Sequence, residues 1–434
     1  VGDMGMMCNI GELETAVRER LAFSPGQVYS TSAITQTQRN LYALGRFSTV
    51  QVQPDRRDAR EVVGVHIAVA ESARHEVSLG GGFGIDPTGY EVRGRTGYAI
   101  AGWPYPLDTV TLDLRPAYAY LTASKMYEPR VRALAQLVRQ DLFWTYTRGE
   151  VAGGYNYLAV EAFTSYGPLA RVGFETPIET DKLRLRVGWR VQQAGFRQIN
   201  KLLALPRYAG LRHQIGIDHS ERLGAYEQVV IADLRDHPLE PTRGGYGELH
   251  TTEGTALAGS AYDYVELIGD ARGYLPIGLG AVLAGRVRYG AIYGDVPPTE
   301  RLFSGGAVSQ RGFGERRLSP GITGPANGTS GSTVTVPYGG AALFETSIEA
   351  RVPVAKIRSM PIEVATFLDG GDVTNTPGEL DLGHLNWAAG GGLRLMTAIG
   401  PVRFDVGYRL NRTGPLDPDP GSHYAYHLTI GEAF

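Results

Sequence analysis

Two periodicities divide the chain. Up to about residue 45, apolar positions recur every three to four residues, the spacing of one helical face. Leu13, Val17 and Leu21 sit four apart, and Ser24-Pro25-Gly26 then interrupts the run. Ser30 or Thr31 can cap a second helix that carries Ile34, Leu41 and Leu44 on one side and stops at Gly45. After that the period drops to two. Val50 and Val52 alternate with Gln51 and Gln53. Val63, Val65, Ile67 and Val69 alternate with Gly64, His66 and Ala68. Each run predicts a strand, so residues 1–72 read as a small α+β unit.

From Arg74 onward the period of two persists and no long helix is predicted. Val110, Leu112 and Leu114 alternate with Thr111, Asp113 and Arg115. Leu183, Leu185, Val187, Trp189 and Val191 alternate with Arg184, Arg186, Gly188 and Arg190. Val402, Phe404, Val406, Tyr408 and Leu410 alternate with Arg403, Asp405, Gly407 and Arg409. One face is apolar and the other charged, over strands longer than those of a soluble sandwich. Strands of roughly 9–11 residues, apolar outward and polar inward, are what a membrane barrel needs. Counting back from Phe434 places strands near 422–434, 400–411, 387–397, 361–371, 341–353, 279–293, 258–275, 244–255 and 226–236. Seven more fit between 74 and 196. The predicted fold is an all-β, sixteen-stranded antiparallel transmembrane barrel over residues 73–434, an even strand count as bacterial barrels require. The connections alternate as well. Gly102–Pro106, Asp236–Gly245, Leu275–Gly278 and Thr397–Gly400 are short. Phe196–Ala225, Gly294–Gly340, Gly371–Asn386 and Asn411–Ser422 are long, as periplasmic turns and outer loops are expected to be.

Composition sharpens this picture. The 434 residues include 58 Gly, 24 Tyr and one Cys. Excess Gly and Tyr suit strands that cross a water–lipid boundary. Cys8 alone excludes an internal disulfide framework and a Cys-rich metal site. A net charge of -3 gives no reason to expect a nucleic-acid partner. Val1–Ile10 lacks the basic start and apolar centre of a secretory signal. His75, His213, His219, His237 and His250 show no short metal spacing, and Gly81-Gly82-Phe83-Gly84 lacks the strand–loop–helix context of a phosphate cradle. No catalytic residues, metal or cofactor are expected. Arg197–Gln214 is basic and leucine-rich, a segment that could touch anionic lipid or form a solvated loop helix.

Three motifs make the picture specific. Leu41-Tyr42-Ala43-Leu44-Gly45-Arg46-Phe47-Ser48-Thr49-Val50-Gln51-Val52 reads as the end of a helix and its following strand. Arg301-Leu302-Phe303-Ser304-Gly305-Gly306, continuing to Gln310-Arg311-Gly312-Phe313, stands in the longest outer loop, about 294–340. Leu428-Thr429-Ile430-Gly431-Glu432-Ala433-Phe434 closes the chain on an aromatic. Together these resemble the TamA/BamA superfamily of outer-membrane proteins, a periplasmic POTRA domain followed by a sixteen-stranded barrel. The resemblance implies that loop 6 folds back into the barrel and that its Arg311 pairs with Glu349 on the twelfth strand and Asp369 on the thirteenth. Alternation agrees: Phe344, Thr346, Ile348, Ala350 and Val352 share the lipid side of one strand, and Ile362, Val364 and Leu368 that of the next, so both carboxylates point inward. The family carries Val or Ile before this Arg. Gln310 departs from that and predicts a weaker apolar anchor for the loop tip.

The resemblance further implies a bacterial outer-membrane location and an assembly, insertion or translocation function. Its partners would be outer-membrane lipid, client proteins and a periplasmic partner at the POTRA-like domain. Leu428, Ile430, Gly431 and Phe434 resemble the terminal-strand signal by which barrels are recognised for assembly. Gly80, Gly81 and Gly82 on the first strand, with Gly431 on the last, predict a weak lateral seam, because glycine weakens a strand. A two-partner-secretion transporter and a plugged or structural pore stay open as alternatives.

Overall fold

The computed structural model describes residues 11–55, 63–122, 125–178, 180–238, 240–325, 333–357, 360–397, 400–411 and 423–431. Cys8 and Phe434 lie outside these residues. No helix among the described residues is long and apolar enough to cross a membrane.

The N-terminal unit begins with helix α1 (Gly11–Glu19). Glu12 and Glu14 lie at its positive end and Arg18 at its negative end, and Arg18 bonds Glu14 one turn back at 2.7 Å. Helix α2 (Thr31–Ala43) starts at Ser30, whose hydroxyl accepts the Ala33 N–H. It ends before Gly45, which takes a positive φ. Strands β1 (Phe47–Asp55) and β2 (Gly64–Glu71) pair antiparallel beneath the helices. Leu13, Val17, Leu41, Leu44, Phe47 and Val50 form the core, as the two periods require.

One residue of that core comes from elsewhere. Leu107, in a turn of the large sheet, is buried among them. The joint is also polar: Arg20 forks onto Asp141 with two bonds of 2.7 Å and lies over the Tyr146 ring, Thr145 donates to Glu19, and Arg139 bonds Glu12. The small unit is thus seated on the barrel turns 102–107 and 141–147.

The barrel consists of β3 (His75–Asp86), β4 (Gly89–Ala101), β5 (Asp108–Leu121), β6 (Met126–Gln140), β7 (Arg148–Ala159), β8 (Thr164–Ile178), β9 (Thr180–Arg197), β10 (Glu221–Asp233), β11 (Gly244–Gly254), β12 (Tyr264–Gly278) and β13 (Ala281–Gly294), followed by β16 (Ala342–Ile357), β17 (Met360–Thr374), β18 (Asn386–Thr397), β19 (Gly400–Arg409) and β20 (Tyr424–Gly431). These sixteen strands pair antiparallel with their neighbours, and β20 closes on β3. The alternating faces separate as read: Leu112, Leu114, Ile348, Val352, Leu368 and Phe404 are exposed outward, whereas Glu349, Asp369 and Asp405 are buried inside. Tyr118, Tyr120 and Tyr127 cluster at the rim far from the small unit, and Trp103, Tyr105, Phe143 and Trp144 stand at the near rim. Such rings suit a membrane interface.

The far rim carries the long connections. Two strands not expected from sequence, β14 (Gly321–Pro325) and β15 (Thr333–Pro337), form a hairpin inside the longest loop. Helix α3 (Ala209–Ile215) packs against it. Leu202, Leu203, Ile215 and Ile217 are buried with Ile322 and Val336. Those leucines therefore serve a dome over the barrel mouth, while Lys201, Arg207, His213 and Gln214 of the same segment are exposed.

Two outcomes follow. Leu114→Arg, at the middle of a strand and on its lipid face, should lower barrel stability by about 2–4 kcal/mol in urea unfolding from lipid vesicles. Arg20→Ala leaves a buried carboxylate unpaired, a loss of about 3–5 kcal/mol at the joint. The distance distribution between spin labels on α2 and on turn 141–147 should broaden accordingly.

Candidate functional site

The loop between β13 and β16 does not stay outside the barrel. Leu302 bridges Gly340 and Ser304 bridges Leu318, and these two links draw the chain into the lumen. Gly305 and Gly306 take φ values of +98° and +111°, a region that disfavours side chains. A methyl on Gly305 would also stand 2.4 Å from the Gly314 carbonyl oxygen. The Gly306 N–H donates to the Phe313 carbonyl at 3.0 Å and closes the tip. Ser304 donates to Glu345 at 2.6 Å, and Ser309 donates to the same carboxylate. The Phe-Ser-Gly-Gly run is thus the fold-back itself.

At the tip the structure brings Arg311, Glu349 and Asp369 together. Arg311 grips Asp369 with two bonds, Nε to Oδ2 at 2.7 Å and a terminal N–H to Oδ1 at 2.8 Å. Its other terminal nitrogen reaches Glu349 at 2.5 Å. Its own backbone N–H also donates to Asp369, at 3.1 Å. The guanidinium lies flat on Phe367, 3.4 Å from the ring centroid. All three charged groups are buried, with Asp369 1% exposed. The second carboxylate is shared, since Arg351 and Arg394 also donate to Glu349 at 2.7 and 2.6 Å. Ser347 donates to Asp369 at 2.7 Å. A bidentate charged fork with its remaining lone pairs satisfied is the arrangement in which a buried ion pair is favourable.

Gln310 anchors the tip differently from the expectation of weakened apolar contact. Its side chain is buried, donates to the Asn386 carbonyl at 3.0 Å and accepts the Gly312 N–H at 2.7 Å. Polar bonds to β18 thus stand where an apolar residue would pack. Phe313 is buried beneath Arg409, 4.2 Å from ring centroid to guanidinium, and Arg409 donates to the Gly312 carbonyl at 2.7 Å. Gly312 presses on Ala388, which a methyl would meet at 2.4 Å.

Sequence reading missed several of these partners. Gly407 on β19 lies directly under the tip, where a methyl would stand 2.4 Å from the Arg311 carbonyl oxygen. Arg190 on β9 forks onto Glu300 at the base of the loop, at 3.0 and 3.1 Å. Arg317, buried, bonds Glu161 at 2.9 Å and the Thr335 carbonyl at 2.8 Å. The signal was present in part: Arg190, Gly407 and Arg409 all fall on inward positions of alternating strands.

The first and last barrel strands, β3 and β20, are hydrogen-bonded neighbours. Strands β20 and β3 pair at four positions among the described residues, from Leu428 with Ile85 to Gly431 with Gly82. The β16–β17 pair runs over fifteen. Gly431 and Gly82 therefore face each other, while Gly80 and Gly81 pair only with β4 among the described residues. Leu428 and Ile430 share the face of the exposed Tyr424 and Tyr426, toward lipid, and Phe434 lies outside the described residues.

Arg311→Ala should destabilise the barrel by about 3–5 kcal/mol, because it leaves the buried Asp369 without its counter-charge. Arg311→Lys should fall between the two, since an ammonium cannot form the fork. The temperature at which the folded band is lost on a detergent gel reports both.

Comparison with known proteins accords with this geometry. A family model described as the Omp85 superfamily domain matches residues 115–434, and one described as POTRA, surface antigen variable number repeat, matches 13–72. A search of curated proteins returned no match. Among solved structures, BamA from Haemophilus ducreyi lacking POTRA domains 1-3 superposes with a TM-score of 0.70 at 15% identity, covering 96% of this chain and 81% of that one. CdiB from Acinetobacter baumannii gives 0.59 at 12% identity, covering 99% and 72%, and CdiB from Escherichia coli gives 0.57 at 15%, covering 96% and 74%. At these identities the likeness is one of fold. The match over the barrel residues decides the family: with its POTRA domain, closed sixteen-stranded barrel and inserted loop, the chain belongs to the Omp85 superfamily.

Proposed function

We propose that this chain, an outer-membrane barrel of the insertion or translocation class, is an assembly factor that inserts client strands through the β3–β20 seam. The observation that carries the reading is the meeting of the first and last barrel strands in a glycine-containing ladder, Leu428–Gly431 against Ile85–Gly82 among the described residues. Each unpaired edge position offers backbone donors and acceptors to an incoming strand, which is β-augmentation. The short turns and the POTRA domain share one rim, and in this reading that rim faces the periplasm. There the POTRA domain receives a client or a periplasmic partner and passes it to the barrel. The bilayer beside the seam is the second participant.

The mechanism is physical, and no bond-making step is part of it. Residues Gln310–Phe313 hold loop 6 against β16–β19, the fork from Arg311 to Asp369 and Glu349 being its main fixing point. The loop tip is seated inside the lumen, and α3 packs with the β14–β15 hairpin at the far rim. The geometry thus favours a lateral path over a lumenal one.

Depletion of the protein followed by quantitative outer-membrane proteomics tests this. Loss of many barrel proteins is expected. Loss of one secreted protein with the barrels intact would overturn it in favour of a dedicated transporter. Unchanged proteomes with a lost conductance would point to a pore.

A further inference from the structure

The tip of loop 6 does more than sit on the β16–β19 wall. Within five residues, Arg311–Glu315, it crosses from one side of the seam to the other. Arg311 is fixed at both ends. Its guanidinium is held by β16 and β17, and its carbonyl oxygen accepts a bond from His427 on β20 at 3.1 Å. A carbonyl can only accept, so the His427 Nε2 carries the proton. On the other side of the seam, the Glu315 N–H donates to Asp86 Oδ2 at 2.7 Å. Asp86 is the last residue of β3. Its other oxygen organises the β3–β4 turn, accepting from the Thr88 and Gly89 N–H groups at 2.8 and 3.1 Å. Gly314 is pressed against that turn, where a methyl would meet Thr88 at 2.7 Å.

Behind the seam there is space instead of a packed core. A cavity of about 490 Å³ lies there, lined by Gly84, Ile85 and Asp86 of β3, His427 and Thr429 of β20, and Glu315 of the loop. The described ladder of the two strands, Leu428–Gly431 with Gly82–Ile85, thus borders open space on its lumenal side. The loop touches both of them.

We propose that Arg311–Glu315 is a strap across the lumenal side of the seam, and that His427 and Asp86 are the positioning residues by which it holds the last strand to the first. Opening the seam then requires the strap to release at least one end. The Arg311 fork, on the neighbouring wall, becomes coupled to the seam through the backbone of one residue. A ligand or client that unseats the loop loosens the seam, and one that parts the seam weakens the loop's seat, as linkage demands. The strap deepens the lateral-seam reading and rests on it for its function, although the strap itself is a structural statement.

Hydrogen exchange on the full chain in lipid vesicles tests it. Asp86→Asn keeps an oxygen for the β3–β4 turn and turns the other position into a donor facing the Glu315 N–H. His427→Leu removes the donor to Arg311, and His427→Gln restores one. Amides of 82–86 and 428–431 should exchange about tenfold faster or more in D86N and H427L. Those of 342–374 should be unchanged, and H427Q should stay close to the parent. Unaltered seam exchange in D86N and H427L overturns the strap. So does an equal rise throughout the barrel, which would mean general destabilisation. A separate lock, Gly84→Cys with Thr429→Cys in a Cys8→Ser background, joins an in-register pair across the seam. Client assembly that proceeds in the oxidised lock overturns the lateral-seam reading and leaves the strap standing.

Discussion

A guanidinium buried inside a barrel has lost its water and must recover that loss from the wall. Arg311 does so through the fork to Asp369, the bond to Glu349 and the face of Phe367. Much else in the lumen is arranged around this requirement. Glu349 would itself be a costly buried charge without Arg351 and Arg394, and Asp369 is completed by Ser347 and the Arg311 backbone. Because the groups share partners, removal of one changes the environment of the others, and their contributions do not add pair by pair. The loop's path follows from the position of this anchor. The fold-back at Gly305 and Gly306 and the clearance at Gly312 and Gly407 are the backbone conditions for delivering Arg311 to that point.

The barrel's construction places its weak line close to this anchor. Sheet closure removes edges by pairing every strand, and it is completed where the first barrel strand meets the last, at Leu428–Gly431 and Gly82–Ile85 among the described residues. Loop 6, entering from between β13 and β16, reaches that line only because its anchor directs the next four residues across β20. At the near rim the POTRA domain is held by Leu107 and by the Arg20–Asp141 fork to the turns after β4 and β6, on the β3 side of the seam. At the far rim the dome of α3 and the β14–β15 hairpin covers the mouth and is tied down by Arg317 and Glu161. The side wall is thus left less constrained than either end.

Alternation along the chain determined much of this. A strict period of two with charge on one face settles both that the strands span lipid and which side chains enter the lumen, because successive Cβ atoms point to opposite faces. Glu349 and Asp369 were assigned inward on that ground, and Arg311 was named by the motif around it. The helical face of Leu13, Val17, Leu41 and Leu44 fixed the small domain's core in the same way. What alternation cannot supply is which inward groups meet, since that depends on strand tilt, register and the course of a loop whose residues have no period. The joining of Arg190 to Glu300, of Gly407 to the Arg311 carbonyl, and of Asp86 to Glu315 spans many strands and was decided by closure. So was the burial of the loop leucines in a dome, and of Leu107 in another domain's core. Local sequence sets the face a residue occupies; the closed barrel alone sets its neighbour across the lumen.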